Sequence, residues 1–507
     1  MNATRKLLME ERDTGKQTAP KKENKYPLTG LAVLVSLLMG ASMVSFWKFG
    51  SYLSPDTLSY LRIIHGFPNL LTSLSPFYPF LLDQPPLSFL PLFEKLLILN
   101  LIAIGLSFWM IYKIALHAGN KFPWVLLSFG LSLLSWWSFR VLGSAHADSL
   151  FYALLLIWLY WFIWGDQDEK YFFPAMAILS ALLIWVKLNA LFLIPLLIIW
   201  TLISGKKGWL LVALSCLISW AGYQWAMPEN ILHFHVTQPE AKGIGPSLYL
   251  FYENLATWMQ VTLGLFISDT LSQYIPRALA FALGVCWAVF LGLFLVFHRR
   301  KMENKLYPLL LFGGIYSLFF IAFQQWTGYR EVNSRTLFPY LLVISWALWI
   351  VLIRAEKTQL LLVMALLIAG HTFTGHLLLW KRDSVASLTE ARSFHHSSLK
   401  DKIASLLPQE QAVIRTDYPE KLMLSFMDRE VIRLDPAFRF VDGKNEPLSA
   451  AERKKEKEMA LASLMEGKEM LVIFKPDSYW KNVAENDSVY ALIEKDVLLL
   501  VGSKLPQ

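Results

Sequence analysis

Residues 171–204 read YFFPAMAILSALLIWVKLNALFLIPLLIIWTLIS, an apolar run interrupted only by Lys187 and by the small polar side chains around it, chiefly Asn189. As one helix the run would extend roughly 51 Å at about 1.5 Å per residue, far beyond the ~30 Å of a hydrocarbon core. Split at Lys187, it makes two short spans with Lys187 and Asn189 at the apex. Charge decides between them. One long span would put Lys206, Lys207 and the loop His298-Arg299-Arg300-Lys301 outside, whereas two spans keep every basic loop inside. Two spans are expected.

Outward from that stretch, hydropathy places further spans at 28–48, 92–116, 122–139, 148–165, 208–227, 276–297, 306–326, 336–353 and 358–380. With 171–187 and 188–204 these make about 11 transmembrane helices, an all-α polytopic membrane domain. The run 28–48 exceeds the roughly 7 to 15 apolar residues of a signal-peptide core, so it reads as an uncleaved anchor after a cytoplasmic tail, 1–27. Residues 248–266 are also apolar, but a span there would invert everything downstream. Glu253 and Asn254 interrupt it, and an interfacial helix in an external loop is expected instead.

Composition agrees with this class. The chain is 55% hydrophobic and 17% charged, where a soluble domain carries roughly 25% charge, and its mean hydropathy is +0.42. The net charge of +8 comes from the first 25 positions and short interhelical loops, which reports orientation and gives no nucleic-acid surface. Cys216 and Cys286 fall in separate apolar runs, so neither a disulfide framework nor a thiolate metal site follows.

After Lys381 the character changes, with nearly half of all charged residues in this last quarter. Short β-rich runs at 411–416, 430–434, 470–474 and 496–501 alternate with helical patterns at 385–407, 417–427 and 450–467. Residues 381–507 are therefore expected to form a small C-terminal α/β soluble domain on the external face, with 28–380 forming the membrane domain.

The chosen topology sends the poorly solvated polar residues to one face. Ionisable groups inside a bilayer cost about 2.5 to 3.5 kcal/mol each on insertion scales, which makes them functional candidates. Asp56 follows the first span in SPDTLSYL, where it also suits a helix cap; Asp148 in GSAHADSLF stands at the N-terminus of a span, with His146 beside it. Lys187 sits at an apex partway into the membrane, and Arg335 opens a late span against the usual charge bias. His233 and His235 do not share a helix face, and Arg330 with Glu331 reads as a rim ion pair. No HExxH, GxSxG or Gly-rich phosphate loop appears on the external face.

Four segments together resemble the GT-C superfamily of integral-membrane glycosyltransferases, particularly bacterial members similar to protein O-mannosyltransferases and to the aminoarabinose transferases of lipid A. SPDTLSYLRIIHGF at 54–67 resembles the acidic motif of that family's first loop, and SPFYPFLL at 75–82 its Pro-Tyr-Pro segment. ADSLFYALLL at 147–156 is similar to the acidic start of its fourth span, and SRTLFP at 334–339 to its Arg-containing late span. Residues 415–436 look like the external domain of bacterial relatives. The resemblance implies transfer of a sugar from a polyprenyl-phosphate donor to a lipid, glycan or protein acceptor at the external face of a bacterial inner membrane. It makes Asp56 the catalytic candidate, with Tyr60 and Tyr78 inside the matching motifs as substrate contacts. The sequence departs from the family in having Thr57, not a second carboxylate, after Asp56.

The residues suit that chemistry on their own account. A glycosyl phosphate carries a good leaving group, so transfer needs a base for the acceptor hydroxyl and fixed cations for the departing phosphate. Asp56 would be the base, and Arg335 with Lys187 the clamp. Asp148 and His146 would orient the acceptor or join Asp56 on a divalent cation; no other cofactor is called for. In-line attack would invert the anomeric centre. A lipid or polysaccharide transporter, and a polysaccharide polymerase or ligase, are the alternative readings.

Overall fold

The structure is a computed structural model that describes residues 26–50, 77–144, 147–226, 244–267, 272, 274–297, 305–327, 335–381, 388–407 and 413–422, and between 425 and 502 all but a few short gaps. The membrane body is built from α1 (Tyr26–Phe49), α2 (Phe77–Asp83), α3 (Leu92–Leu116), α4 (Phe122–Leu134), α5 (Trp136–Leu142), α6 (Ala147–Trp164), α7 (Phe172–Val186) and α8 (Leu193–Ser204). It continues through α9 (Gly208–Ala226), α10 (Ile244–Ile267), α11 (Arg277–Phe297), α12 (Leu306–Thr327), α13 (Phe338–Arg354) and α14 (Thr358–Trp380). Among the described residues seven helices are long and apolar enough to cross a membrane, the bent pair α4–α5 makes an eighth, and three further apolar helices are shorter. The chain is an integral membrane protein.

The run at 171–204 breaks at Lys187. Its backbone is extended (φ −161°, ψ 126°), and a 3-10 turn over Leu188–Phe192 leads into α8. Pro174 and Pro195 each fall in the first turn of their helix, where no intrahelical donor is lost. Gly205 ends α8 in the left-handed region at φ 69°, its N–H bonded to the Thr201 carbonyl at 2.9 Å. The span expected at 122–139 is corrected: it bends by 67° between α4 and α5 at Ser135. Ser135 and Ser138 both donate to the Ser132 carbonyl, at 2.7 and 2.8 Å, so hydroxyls take up the backbone acceptor that the break releases. The helix expected at 248–266 forms as α10. It packs along α11 with Ala256 and Trp258 buried and Leu248 and Tyr249 exposed.

Lipid is as apolar as leucine, so packing and interhelical hydrogen bonds hold such a body together. At its centre α13 is buried along most of its length. Phe129 of α4 stacks on Trp346 of α13 at 4.6 Å, and Ser132 joins Ser345 at 2.5 Å while accepting the Trp349 indole N–H at 2.9 Å. Ser215 and Ser219 of α9 donate to the Ala177 and Ala181 carbonyls of α7, which brings those two backbones close.

Beyond Lys381 lie α15 (Leu388–His395), α16 (Ser398–Leu406), β1 (Val413–Thr416), α17 (Pro419–Leu422), β2 (Val431–Arg433), β3 (Phe438–Val441) and β4 (Lys444–Pro447). Then come α18 (Ala450–Met465), β5 (Glu469–Ile473), α19 (Ser478–Ala484), β6 (Val489–Glu494) and β7 (Val497–Gly502). The sheet order is β2-β1-β5-β7-β6, parallel across β2, β1 and β5 and antiparallel at β7 and β6. Met470 and Val472 face one core with Phe394, Ile403 and Leu422; Leu471 and Ile473 face another with Ala460, Leu464 and Trp480. Helices therefore cover both faces, which is why β5 is apolar throughout its interior and does not alternate. The four expected strands are present. The expected helix at 385–407 divides into α15 and α16, because Ser397 turns out to be the cap of α16, accepting from the Lys400 N–H. The one at 417–427 shortens to α17. The hairpin β3–β4, β6 and α19 were not expected.

The two parts meet through α15. Leu388 and Ala391 are buried in the membrane body's core, Arg392 reaches Glu94 at the start of α3 (2.7 Å), and His395 lies 5.4 Å from the Phe93 ring.

Candidate active site

Three chain ends converge on one carboxylate. Asp148 lies in the first turn of α6, Lys187 directly follows α7, and Arg335 opens the turn that leads into α13. The Lys187 ammonium donates to one Asp148 oxygen and the Arg335 Nε to the other. Asp148 is buried, with 2% of its side chain exposed, while Lys187 and Arg335 keep 19% and 39%. The anion sits beneath and the cations reach outward.

Helix dipoles favour two of the three placements. A carboxylate is stabilised in a helix's first turn and an ammonium just past a helix's last turn, each by roughly 0.3–1 kcal/mol. Arg335 precedes a helix N-terminus, where the dipole opposes a cation, so its bond to Asp148 is what makes that position tenable. Together the three groups carry one net positive charge.

Neighbouring side chains fix the backbone of this cluster. Tyr152, one turn along α6 from Asp148, donates to the Arg335 carbonyl at 2.7 Å, and Tyr316 of α12 donates to the Thr336 carbonyl at 2.5 Å. Both rings are buried, and Tyr152 packs on Phe338 at 4.7 Å. The Asn100 amide of α3 donates to the Ser144 carbonyl at 3.1 Å, holding the segment that enters α6. Asn100, Tyr152 and Tyr316 were not singled out in the sequence. The signal available was faint: one carboxamide and two phenols inside otherwise apolar runs.

Of the residues expected at the site, the structure brings together Asp148, Lys187 and Arg335. Asp56, Tyr60 and His146 lie outside the described residues, as do His233, His235, Arg330 and Glu331. Tyr78 is buried in α2, which packs against α7, the helix that ends at Lys187. Among the described residues no group of three or more His, Cys, Asp or Glu side chains is arranged to hold a metal ion.

An anion held by two cations is a poor proton acceptor, since protonating it strands two positive charges in a poorly solvated place. What the arrangement can do is bind a further anion. The ammonium and the partly exposed guanidinium are pre-positioned, so no side-chain reorganisation is needed when the anion arrives or gains charge.

No known protein family matches this sequence, and no curated protein does. Among solved structures the chain is similar to ArnT from Cupriavidus metallidurans in the apo state, with a TM-score of 0.40 and 14% sequence identity, over 94% of this chain and 99% of that one.

Proposed function

We propose that this chain is a membrane glycosyltransferase of the GT-C type, moving a sugar from a polyprenyl-phosphate donor to an acceptor hydroxyl on the external face. The observation that carries the reading is the Asp148–Lys187–Arg335 cluster, assembled from three separated segments, two of which fall in motifs resembling that family. The N-terminus would be cytoplasmic, with 381–507 on the far side of a bacterial inner membrane. The membrane domain would span 28–380.

In this mechanism the acceptor oxygen attacks the anomeric carbon as the bond from that carbon to the phosphate oxygen breaks. The acceptor's proton passes to a base, for which Asp56 is our assignment. The donor is a phosphodiester with one negative charge, and the departing polyprenyl phosphate carries two. The added charge develops only as the bond breaks, so cations at Lys187 and Arg335 bind the transition state more tightly than the ground state. Asp148 serves as a positioning residue, holding both cations toward the phosphate and limiting their mutual repulsion. His146 and Tyr60 would orient the acceptor, and Tyr78 the donor. Attack opposite the leaving group inverts the anomeric centre.

The test incubates purified protein in lipid nanodiscs with a panel of polyprenyl-phosphate hexoses and pentoses and follows donor consumption. At least one donor should be consumed. Arg335→Lys, which keeps charge but loses the planar fork, should lower kcat/KM by about 100-fold with the fold intact. No consumption across the panel, or full activity in Arg335→Lys and Lys187→Met, overturns the reading in favour of transport.

A further inference from the structure

The α/β unit contains a second concavity that the transfer chemistry leaves unused. Strand β1 sits between β2 and β5, parallel to both. The chain leaves β1 through α17, on the side of the core formed by Leu422 and Phe426, and returns from β2 to β5 through α18, on the other. The carboxyl ends of β1 and β5 therefore open away from each other. In parallel sheets that switch point is where ligands bind.

A cavity of about 240 Å³ lies there, lined by Glu390 and Ser393 of α15, Ser397 and Ser398 at the start of α16, Lys421 of α17 and Phe474 after β5. It is a built feature. Asp417, just past β1, accepts the Phe474 N–H at 2.8 Å, which ties the two strand ends together. Tyr418 meets the Phe474 ring edge-on at 5.9 Å, and the Lys421 ammonium lies 5.3 and 5.1 Å from those two ring centres. Lys421 is also 3.7 Å from the Glu390 carboxylate, each about one quarter exposed.

The lining selects a chemistry. Ammonium and carboxylate side by side, with three serine hydroxyls around them, offer donors and acceptors without a strong net charge, which matches vicinal hydroxyls and not a phosphate. The half-buried Phe474 ring supplies an apolar surface of the kind the C–H face of a pyranose requires. The volume lies below the roughly 300 Å³ at which pockets for drug-sized ligands begin, so it suits one sugar ring.

We propose that this crevice is a subsite for a single neutral pyranose unit of a glycan acceptor. The identification of the occupant as acceptor rests on the glycosyl-transfer reading above; the binding of a sugar ring does not.

The experiment uses the full chain in nanodiscs and saturation-transfer NMR with methyl glucosides, mannosides and galactosides. Saturable ring-proton signals are expected for at least one glycoside. They should weaken about tenfold or more in Lys421→Gln and in Ser393→Trp, the second of which fills the exposed mouth without removing a buried group, and should persist in Arg335→Lys. Absence of saturable binding, or equal binding in wild type and Ser393→Trp, overturns the subsite. Sugar binding that survives while no polyprenyl donor is consumed keeps the subsite and removes the transfer reading.

Discussion

Lys187 and Arg335 share one anion: each donates to a different oxygen of Asp148, although they arrive from the end of one helix and the start of another. Removing one partner of a buried ion pair costs about 3–5 kcal/mol, and the partial exposure of both cations puts this cluster at or below the lower end of that range. Asp148→Asn should therefore lower the thermal midpoint more than Lys187→Met does. The double variant should lose less than the two losses added, with a coupling of roughly 0.5–3 kcal/mol. Additivity in melts of the four proteins would show that the cluster is not an energetic unit.

How much of this was legible in the sequence depended on the range of the physics involved. The apolar runs show themselves because bilayer thickness imposes a length that a single segment must meet by itself. Lys187 disclosed the break within 171–204 through its charge. Ser135 gave no such sign: with neither Pro nor Gly there, the bend depends on Ser132, Ser135 and Ser138 meeting at one carbonyl. Strand β6, VYALIE, is short, and its pairing with β7 is long-range information that its own residues do not hold. All three charged members of the cluster were singled out, but their pairing was not, since Asp148 and Arg335 are 187 positions apart.

Gly375 offers a case in which two effects of known size oppose each other. Gly→Ala in a helix interior gains up to about 1 kcal/mol in propensity. In α14, however, a methyl group at position 375 would collide with the Trp136 ring, which is held by its backbone N–H donating to the Thr372 hydroxyl at 3.0 Å. Overpacking of this kind costs roughly 1–3 kcal/mol, so Gly375→Ala should destabilise, and Trp136→Leu should relieve it. A raised midpoint in Gly375→Ala alone would contradict the close packing of α14 on α5.

The junction between the two parts contains one apolar and one ionic contact, and they should differ in weight. Leu388 is 4% exposed within the membrane body's core, and truncating such a leucine costs about 2–5 kcal/mol. The Glu94–Arg392 pair is 29% and 53% exposed, and pairs of that kind contribute roughly 0.2–1 kcal/mol. Leu388→Ala should therefore loosen hydrogen-exchange protection of α15 far more than Glu94→Gln. The reverse order would mean that the ion pair holds the external unit in place.

His395 should make the same junction sensitive to acid. Its ring lies 5.4 Å from Phe93, with Nδ1 3.2 Å from the Ser425 hydroxyl. Burial, then the nearby Lys400 and His396, push its pKa below the ordinary 6.5, and Asp401 opposes them only in part. A depressed histidine pKa means the folded state prefers the neutral ring, so the unfolded chain binds the proton first as pH falls. Stability is then fully present above pH 6.5 and declines as pH drops from there through the folded value. Between pH 7.5 and 5.5 the exchange protection of α15 should fall in wild type. The fall should be shallower in His395→Gln, which cannot take up the proton. Identical profiles for the two proteins would assign the acid response to other groups.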